Sequence, residues 1–239
     1  MQADLKTFHR FGVYGEAIPT LITVQNSLRL SRVEHLPADL VVAQMRAVLE
    51  DMPPNAAKTG ALGSREVVKA VAEEARGFSF PLVVDPVLAG TLGGLLEEGA
   101  FDALIEHLLP RAFLLTPNLQ EAALIAGIEV RNREGMLQAG RKILELGAQN
   151  VLVKGGHLEG KAVDLLITGE GVVHEFAAER IETPHTHGTG CTYSAAITAE
   201  LAKGVPLVDA VLSAKRFVTE AIATNPGLGS GKGPLNHFA

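Results

Sequence analysis

The chain has 239 residues, 47% hydrophobic and 20% charged, with a net charge of −6 and a pI near 5.8. That length and balance suit a folded α/β chain and exclude a disordered or fibrous one, and residues 1–239 are expected to form a single domain. With an acidic balance, two Tyr and no Trp, it offers neither a basic stripe nor stacking platforms, so nucleic acid is not an expected partner.

No apolar run approaches the roughly eighteen residues of a membrane span, and Met1-Gln2-Ala3-Asp4 does not open a signal peptide, so no membrane partner is expected. The lone Cys191 cannot form an internal disulfide, which fits a cytoplasmic location.

In chain order, an amphipathic helix comes first, with Leu5, Phe8 and Phe11 as its apolar face. Strands are expected at Ala17 to Val24, Ala56 to Ala57, Leu82 to Val84, Phe113 to Leu115 and Val151 to Val153. Between them, Val41, Met45, Val48 and Leu49 share one helix face, and Val67, Val68, Val71, Ala72 and Ala75 share another. From Ala162 to Glu182 short strands separated by Gly169-Glu170-Gly171 and Ala177-Ala178 suggest an antiparallel hairpin at one sheet edge. A last helix follows from Leu207, Ala210, Val211, Ala214, Phe217, Val218, Ala221 and Ile222, which recur at three and four residues. The alternation predicts an α/β fold, a mostly parallel sheet with helices on its faces.

Ligands of such sheets bind beyond the carboxyl ends of the strands. There the sequence has Gln25-Asn26, Lys58-Thr59-Gly60, Asp85-Pro86-Val87, Thr116-Pro117-Asn118 with Glu121, and Lys154-Gly155-Gly156. Each alone reads as an ordinary polar strand end; together they point to one site. The sharpest feature is His187-Gly188-Thr189-Gly190-Cys191-Thr192 ahead of a run of small residues. Glycines there allow several N–H groups to point at one spot at a helix N-terminus, an anion hole suited to phosphoryl transfer.

Cys191 at that helix start is either a small packing residue or a thiol of lowered pKa that takes a proton from an alcohol. Asp85 and Glu121 could hold Mg²⁺ through water, and Lys154 could neutralise nucleotide phosphates. Gly229-Ser230-Gly231-Lys232-Gly233 fails as a Walker loop, since Pro226 stands where its first Gly is needed. His157, His185 and His187 lack metal-ligand spacing.

Together these motifs resemble the hydroxymethylpyrimidine and phosphomethylpyrimidine kinases of thiamine biosynthesis, in the ribokinase-like superfamily. The resemblance runs from Gln2-Ala3-Asp4-Leu5-Lys6-Thr7-Phe8 to Gly233-Pro234-Leu235-Asn236-His237-Phe238. It implies a three-layer α/β/α fold with an antiparallel edge hairpin, and two ATP-dependent phosphorylations, of 4-amino-5-hydroxymethyl-2-methylpyrimidine and of its monophosphate. It also implies Mg²⁺ and a homodimer.

By the same resemblance Gly188, Thr189, Gly190 and Cys191 are catalytic, with Cys191 where sugar kinases carry an aspartate base. Asp4 and Gln25 match positions that contact the ring nitrogens and amine, Ala61 and Val87 those that line the ring, and Asn118, Glu121 and Lys154 the nucleotide and Mg²⁺ side. Family members carry a strand and a loop ending in Gly-Gly-Ala-Gly ahead of the position of Met1, so the start is expected to be an internal Met. Ala61 replaces a frequent Met, and Leu88-Ala89-Gly90-Thr91-Leu92-Gly93 departs from a mobile flap with Lys-Ser-Gly. Pyridoxal or pyridoxine kinase activity and non-catalytic binding of a pyrimidine or nucleotide are the alternatives.

Overall fold

The computed structural model describes residues 1–90, 93–156 and 160–239. Helix α1 (Gln2–Arg10) comes first, followed by strands β1 (Leu21–Gln25) and β2 (Leu30–His35), α2 (Ala38–Asp51), β3 (Ala57–Thr59) and α3 (Arg65–Glu74). Then come β4 (Leu82–Val84), the short β5 (Ala89–Gly90) and β6 (Gly93–Gly94), α4 (Ala100–Ala103), β7 (Leu114–Leu115), α5 (Leu119–Ala126) and α6 (Arg133–Glu145). Strands β8 (Asn150–Gly155), β9 (Ala162–Thr168) and β10 (Val173–Ala178) and helices α7 (Thr189–Ala202) and α8 (Leu207–Ala223) complete the order.

Six strands form the central sheet in the order β10-β9-β8-β7-β4-β3. Strands β3, β4, β7 and β8 run parallel, while β9 and β10 close one edge as the expected antiparallel hairpin. Their two-residue period sorts side chains into two cores. Val84, Leu115, Val151, Val153, Leu165 and Ile167 pack with α2, α3, α5 and α6, whereas Val83, Leu114, Leu152 and Leu166 pack with α7 and α8. Strands buried on both faces must be apolar throughout, which is why Leu82–Val84 stood out in the sequence. This is the three-layer α/β/α arrangement.

Local chemistry fixes the helix starts. Ser64 accepts the Val67 N–H at 3.2 Å and Asn132 the Gly135 N–H at 2.9 Å. Asn118 and Glu121 form a reciprocal capping box on α5. Helix α7 is buried all round by its small residues, from Thr192 to Glu200. At the C-cap of α1, Phe11 packs edge-on against Phe217 of α8 at 5.1 Å.

Some expectations need correction. Strand β1 begins at Leu21 rather than Ala17, because Pro19 interrupts the run, and it pairs antiparallel with β2 outside the central sheet. Strand β2 was not expected, since Ser31, Arg32 and Glu34 hide its period on an open surface. Gln25-Asn26 therefore opens a hairpin turn, in which Asn26 Oδ1 accepts the N–H groups of Leu28 and Arg29, instead of ending a parallel strand. Strand β3 runs on to Thr59, past the expected Ala57, and Ala177-Ala178 lie inside β10, paired with Val163 and Ala162, rather than separating strands. Expectations placed on Thr91, Leu92 and His157 lie outside the described residues. No described helix is long and apolar enough to cross a membrane.

Candidate phosphoryl-transfer site

A cleft of 1990 Å³ opens at the carboxyl ends of the parallel strands. Asp4, Gln25, Ala61, Asp85, Val87, Asn118, Glu121, Lys154, Gly188, Thr189, Gly190 and Cys191 all line it, so the residues singled out from sequence share one space.

At its centre stands Asp85, just past β4 and 3% exposed. Its Oδ1 accepts from Lys154 Nζ at 2.9 Å and Thr116 Oγ1 at 3.0 Å, and its Oδ2 from Ser194 Oγ at 3.3 Å. Burial works against the Asp85 charge, but Lys154, then Lys58 and the Thr116 hydroxyl, outweigh it and hold the carboxyl below its ordinary range. A second pair joins Lys58 Nζ to Asp4 Oδ1 at 3.1 Å, bringing α1 to the end of β3. Burial disfavours the Lys58 ammonium, yet Asp4, Cys191 and Asp85 raise its pKa above the usual lysine value. Lys154 is likewise raised, burial being overcome by Asp85 and Glu121. Both lysines thus keep their charge at the floor of the cleft.

The glycine turn meets these cations. Gly188 caps α7 with φ 84°, a left-handed conformation that glycine adopts without strain. By position, the first N–H groups of α7 lack intrahelical acceptors and carry the positive end of the helix dipole. Gly190 approaches so closely that a Cβ there would lie 3.3 Å from Lys154 Nζ and 3.9 Å from Asp85 Oδ2. Cys191 is a free thiol, partly exposed in the cleft. Its pKa is raised rather than lowered: desolvation by the surrounding protein, with Asp85 and Asp4, outweighs Lys58 and the Met1 ammonium. The expectation of a thiol activated by the helix start is corrected accordingly.

On the α5 side, Glu121 Oε2 accepts the Asn118 N–H at 2.8 Å. Burial, then Asp85, raises the Glu121 carboxyl to about 7 against the pull of Lys154 and the backbone N–H groups of Asn118 and Leu88. Ala61 contributes its carbonyl, which accepts Thr20 Oγ1 at 2.8 Å and ties the approach to β1 onto the loop after β3. Among the described residues no three His, Cys, Asp or Glu side chains cluster as metal ligands. Asp85 is engaged at both oxygens, and Glu121 is engaged in its cap. Asp85 Oδ2 and Glu121 keep lone pairs beyond these bonds, so a hydrated cation could approach them through water without displacing any.

Some features emerge only in three dimensions. Lys58 was visible as a motif residue but not as an ion-pair partner of Asp4, 54 positions away. Behind the Gly155-Gly156 turn, Asp164 Oδ2 pairs with Lys215 Nζ at 2.7 Å while its Oδ1 accepts the Gly155 N–H at 2.9 Å. The sequence signal for that pair was an Asp inside an apolar strand and a Lys on an apolar helix face. The decoy Gly229–Gly233 packs on the β1–β2 turn, with Lys232 N–H donating to Ser27 O at 2.9 Å. A Cβ on Gly231 would fall 2.3 Å from that same oxygen, so glycine is required by contact and not by phosphate.

A glycine-opened helix facing two carboxylate-paired lysines at the strand ends of this sheet suits phosphoryl transfer, and the solved kinases that superpose on the chain place it among the ribokinase-like kinases, which are phosphotransferases. Residues 1–236 match the family model described as phosphomethylpyrimidine kinase. The chain is 48% identical over 243 residues to the hydroxymethylpyrimidine/phosphomethylpyrimidine kinase of Rhizobium meliloti, covering 100% of this chain and 91% of that protein. It therefore belongs to the phosphomethylpyrimidine kinase family.

Among solved structures, phosphomethylpyrimidine kinase from Clostridium difficile superposes with a TM-score of 0.82 at 40% identity, covering 92% of each chain. Pyridoxal kinase from Staphylococcus aureus in complex with AMP-PCP and pyridoxal gives 0.90 at 36% identity, covering 100% of this chain and 88% of that one.

Proposed function

We propose that the protein phosphorylates 4-amino-5-hydroxymethyl-2-methylpyrimidine and then its monophosphate, with ATP as donor, for thiamine diphosphate synthesis. The observation that carries this reading is the glycine turn ending in Cys191, set against Lys58 and Lys154 in a chain whose relatives bear that name. Asp4 and Gln25 hydrogen-bond the ring nitrogens and amine, and Ala61 and Val87 line the ring. Lys154 and Asn118 hold the nucleotide phosphates. The Gly188, Thr189, Gly190 and Cys191 turn stabilises charge developing on the transferring group.

In the first step the hydroxymethyl oxygen forms a bond to the γ-phosphorus. The bond to the β,γ-bridging oxygen breaks, and ADP leaves with the electron pair. The alcohol proton passes to Cys191 Sγ in its thiolate form, which the raised pKa makes a minor species at neutral pH. Asp85 and Glu121 would hold Mg²⁺ through water, and the ion would neutralise charge on the nucleotide phosphates.

Residues 1–239 would act as one domain in the cytoplasm, consistent with the single reduced cysteine. Exposed Ile22, Val24 and Leu28 on the β1–β2 hairpin supply an apolar face for a homodimer to cover. A second reading, pyridoxal kinase, is favoured by the S. aureus structure. ADP release coupled to a reporter enzyme, measured with the pyrimidine and with pyridoxal, separates the two; turnover of neither would sink both. Calorimetric binding without ADP release would instead mark a non-catalytic homologue.

A further inference from the structure

Lys154 and Lys58 stand on opposite sides of Asp85, and only Lys154 is accounted for by the nucleotide. Lys154 Nζ lies at the glycine turn, 3.3 Å from where a Gly190 Cβ would be. Lys58 Nζ lies on the other side, 3.1 Å from Asp4, and its charge is felt at Cys191. Its side chain is 5% exposed. With the acceptor placed beside Asp4 and Cys191 as in the proposed function, a fixed, charged ammonium in that position faces the acceptor rather than the donor.

The two proposed phosphorylations make different demands. An alcohol brings no charge, but its proton must leave. A phosphate monoester is largely a dianion at neutral pH, its second pKa being about 6, so no proton need be removed. It must instead approach a triphosphate of the same sign. One cation beside the donor leaves that repulsion unopposed on the acceptor side, where Lys58 is the buried cation.

Resting on the function proposed above, we propose that Lys58 is the acceptor-phosphate cation, the residue that admits a phosphate monoester as the second substrate. A non-bridging oxygen of the monoester attacks the γ-phosphorus, the bond to the β,γ-bridging oxygen breaks, ADP leaves with the electron pair, and a diphosphate ester results. During that step Lys58 exchanges part of its contact with Asp4 for the monoester oxygens. Asp4 is left with the pyrimidine amine, as the first step also requires.

The test measures kcat/KM separately for the pyrimidine alcohol and for its monophosphate, at saturating ATP, in wild type, Lys58→Met and Lys58→Arg. Loss of a charged hydrogen bond to the acceptor predicts that Lys58→Met lowers the second reaction about 10- to 100-fold more than the first, chiefly through KM for the monophosphate. Lys58→Arg, which keeps the charge, restores most of that ratio. Should the Met variant not fold, Lys58→Gln, which retains a donor to Asp4, gives the same comparison. Equal losses in both reactions would mean that Lys58 only neutralises Asp4 and Asp85, and would overturn the proposal. Wild-type enzyme that turns over neither acceptor would overturn the functional reading itself, a different result from equal losses.

Discussion

Replacing Gly190 by alanine separates what the glycine turn does for folding from what it does for phosphoryl transfer. Gly190 is the second residue of α7, and its φ is not among the positive values. Alanine therefore suits the backbone, and by helix propensity alone it stabilises by roughly 0.5–1 kcal/mol. The new methyl would stand 3.3 Å from Lys154 Nζ and 3.9 Å from Asp85 Oδ2, tight enough that Lys154 must give by a few tenths of an ångström. Lys154 is held by Asp85 at 2.9 Å, so its retreat moves a paired charge rather than a loose side-chain end.

The methyl also stands between the turn and the Lys154–Asp85 pair, so a phosphoryl group held there is pushed out of place. Loss of one aligned donor in such a hole costs about 10²–10³ in rate, and small misplacements cost about 10². The expected result is kcat/KM down about 10²-fold in the coupled ADP assay, with the urea midpoint unchanged or higher. Wild-type turnover in Gly190→Ala would refute the assignment of the transferring phosphoryl group to this turn; an equal fall in stability would refute the claim that glycine is there for the ligand.

Three further outcomes follow from the charges. Because burial raises the Cys191 thiol, first-step kcat/KM climbs with pH through the alkaline range where the thiolate forms. Cys191→Ala flattens that limb and lowers the rate about 10²-fold, read from a pH–rate profile. Glu121, raised to about 7 when folded, binds more protons folded than unfolded between its ordinary pKa near 4.5 and 7. It therefore subtracts stability as pH rises through that window, by about 3 kcal/mol in all, and Glu121→Gln removes that slope from urea melts at pH 5 and pH 8. Lys215→Met leaves the 2%-exposed Asp164 without its cation and costs about 3–5 kcal/mol. Adding Asp164→Asn, which keeps an acceptor for the Gly155 N–H, recovers much of that loss in a double-mutant cycle.

The sheet was legible because its strands are buried on both faces: Leu82–Val84 and Val151–Val153 can be nothing but apolar. Strand β2 was not legible, because a hairpin outside the central sheet has one open face and Arg32 and Glu34 satisfy it as well as any alternation would. The site was legible as a set of strand-end turns. Its electrostatics were not. Whether Cys191 is acidic depends first on its burial and then on Lys58, Asp85 and Asp4, brought to it by β3, the end of β4 and α1, and the helix start alone suggested the opposite sign. Lys58 and Lys215 carried the weaker signal of a charge set among buried residues, which sequence cannot distinguish from a solvated edge until the partner carboxylates are placed.

Phosphorus NMR of ATP incubated with the protein and 4-amino-5-hydroxymethyl-2-methylpyrimidine follows the transferred phosphoryl group itself. A monophosphate ester resonance should rise first and a diphosphate ester follow at its expense, with one ADP formed per bond and both signals suppressed in Gly190→Ala. ADP formed without either ester, or an unchanged spectrum from folded wild-type protein, would contradict the proposed phosphorylations.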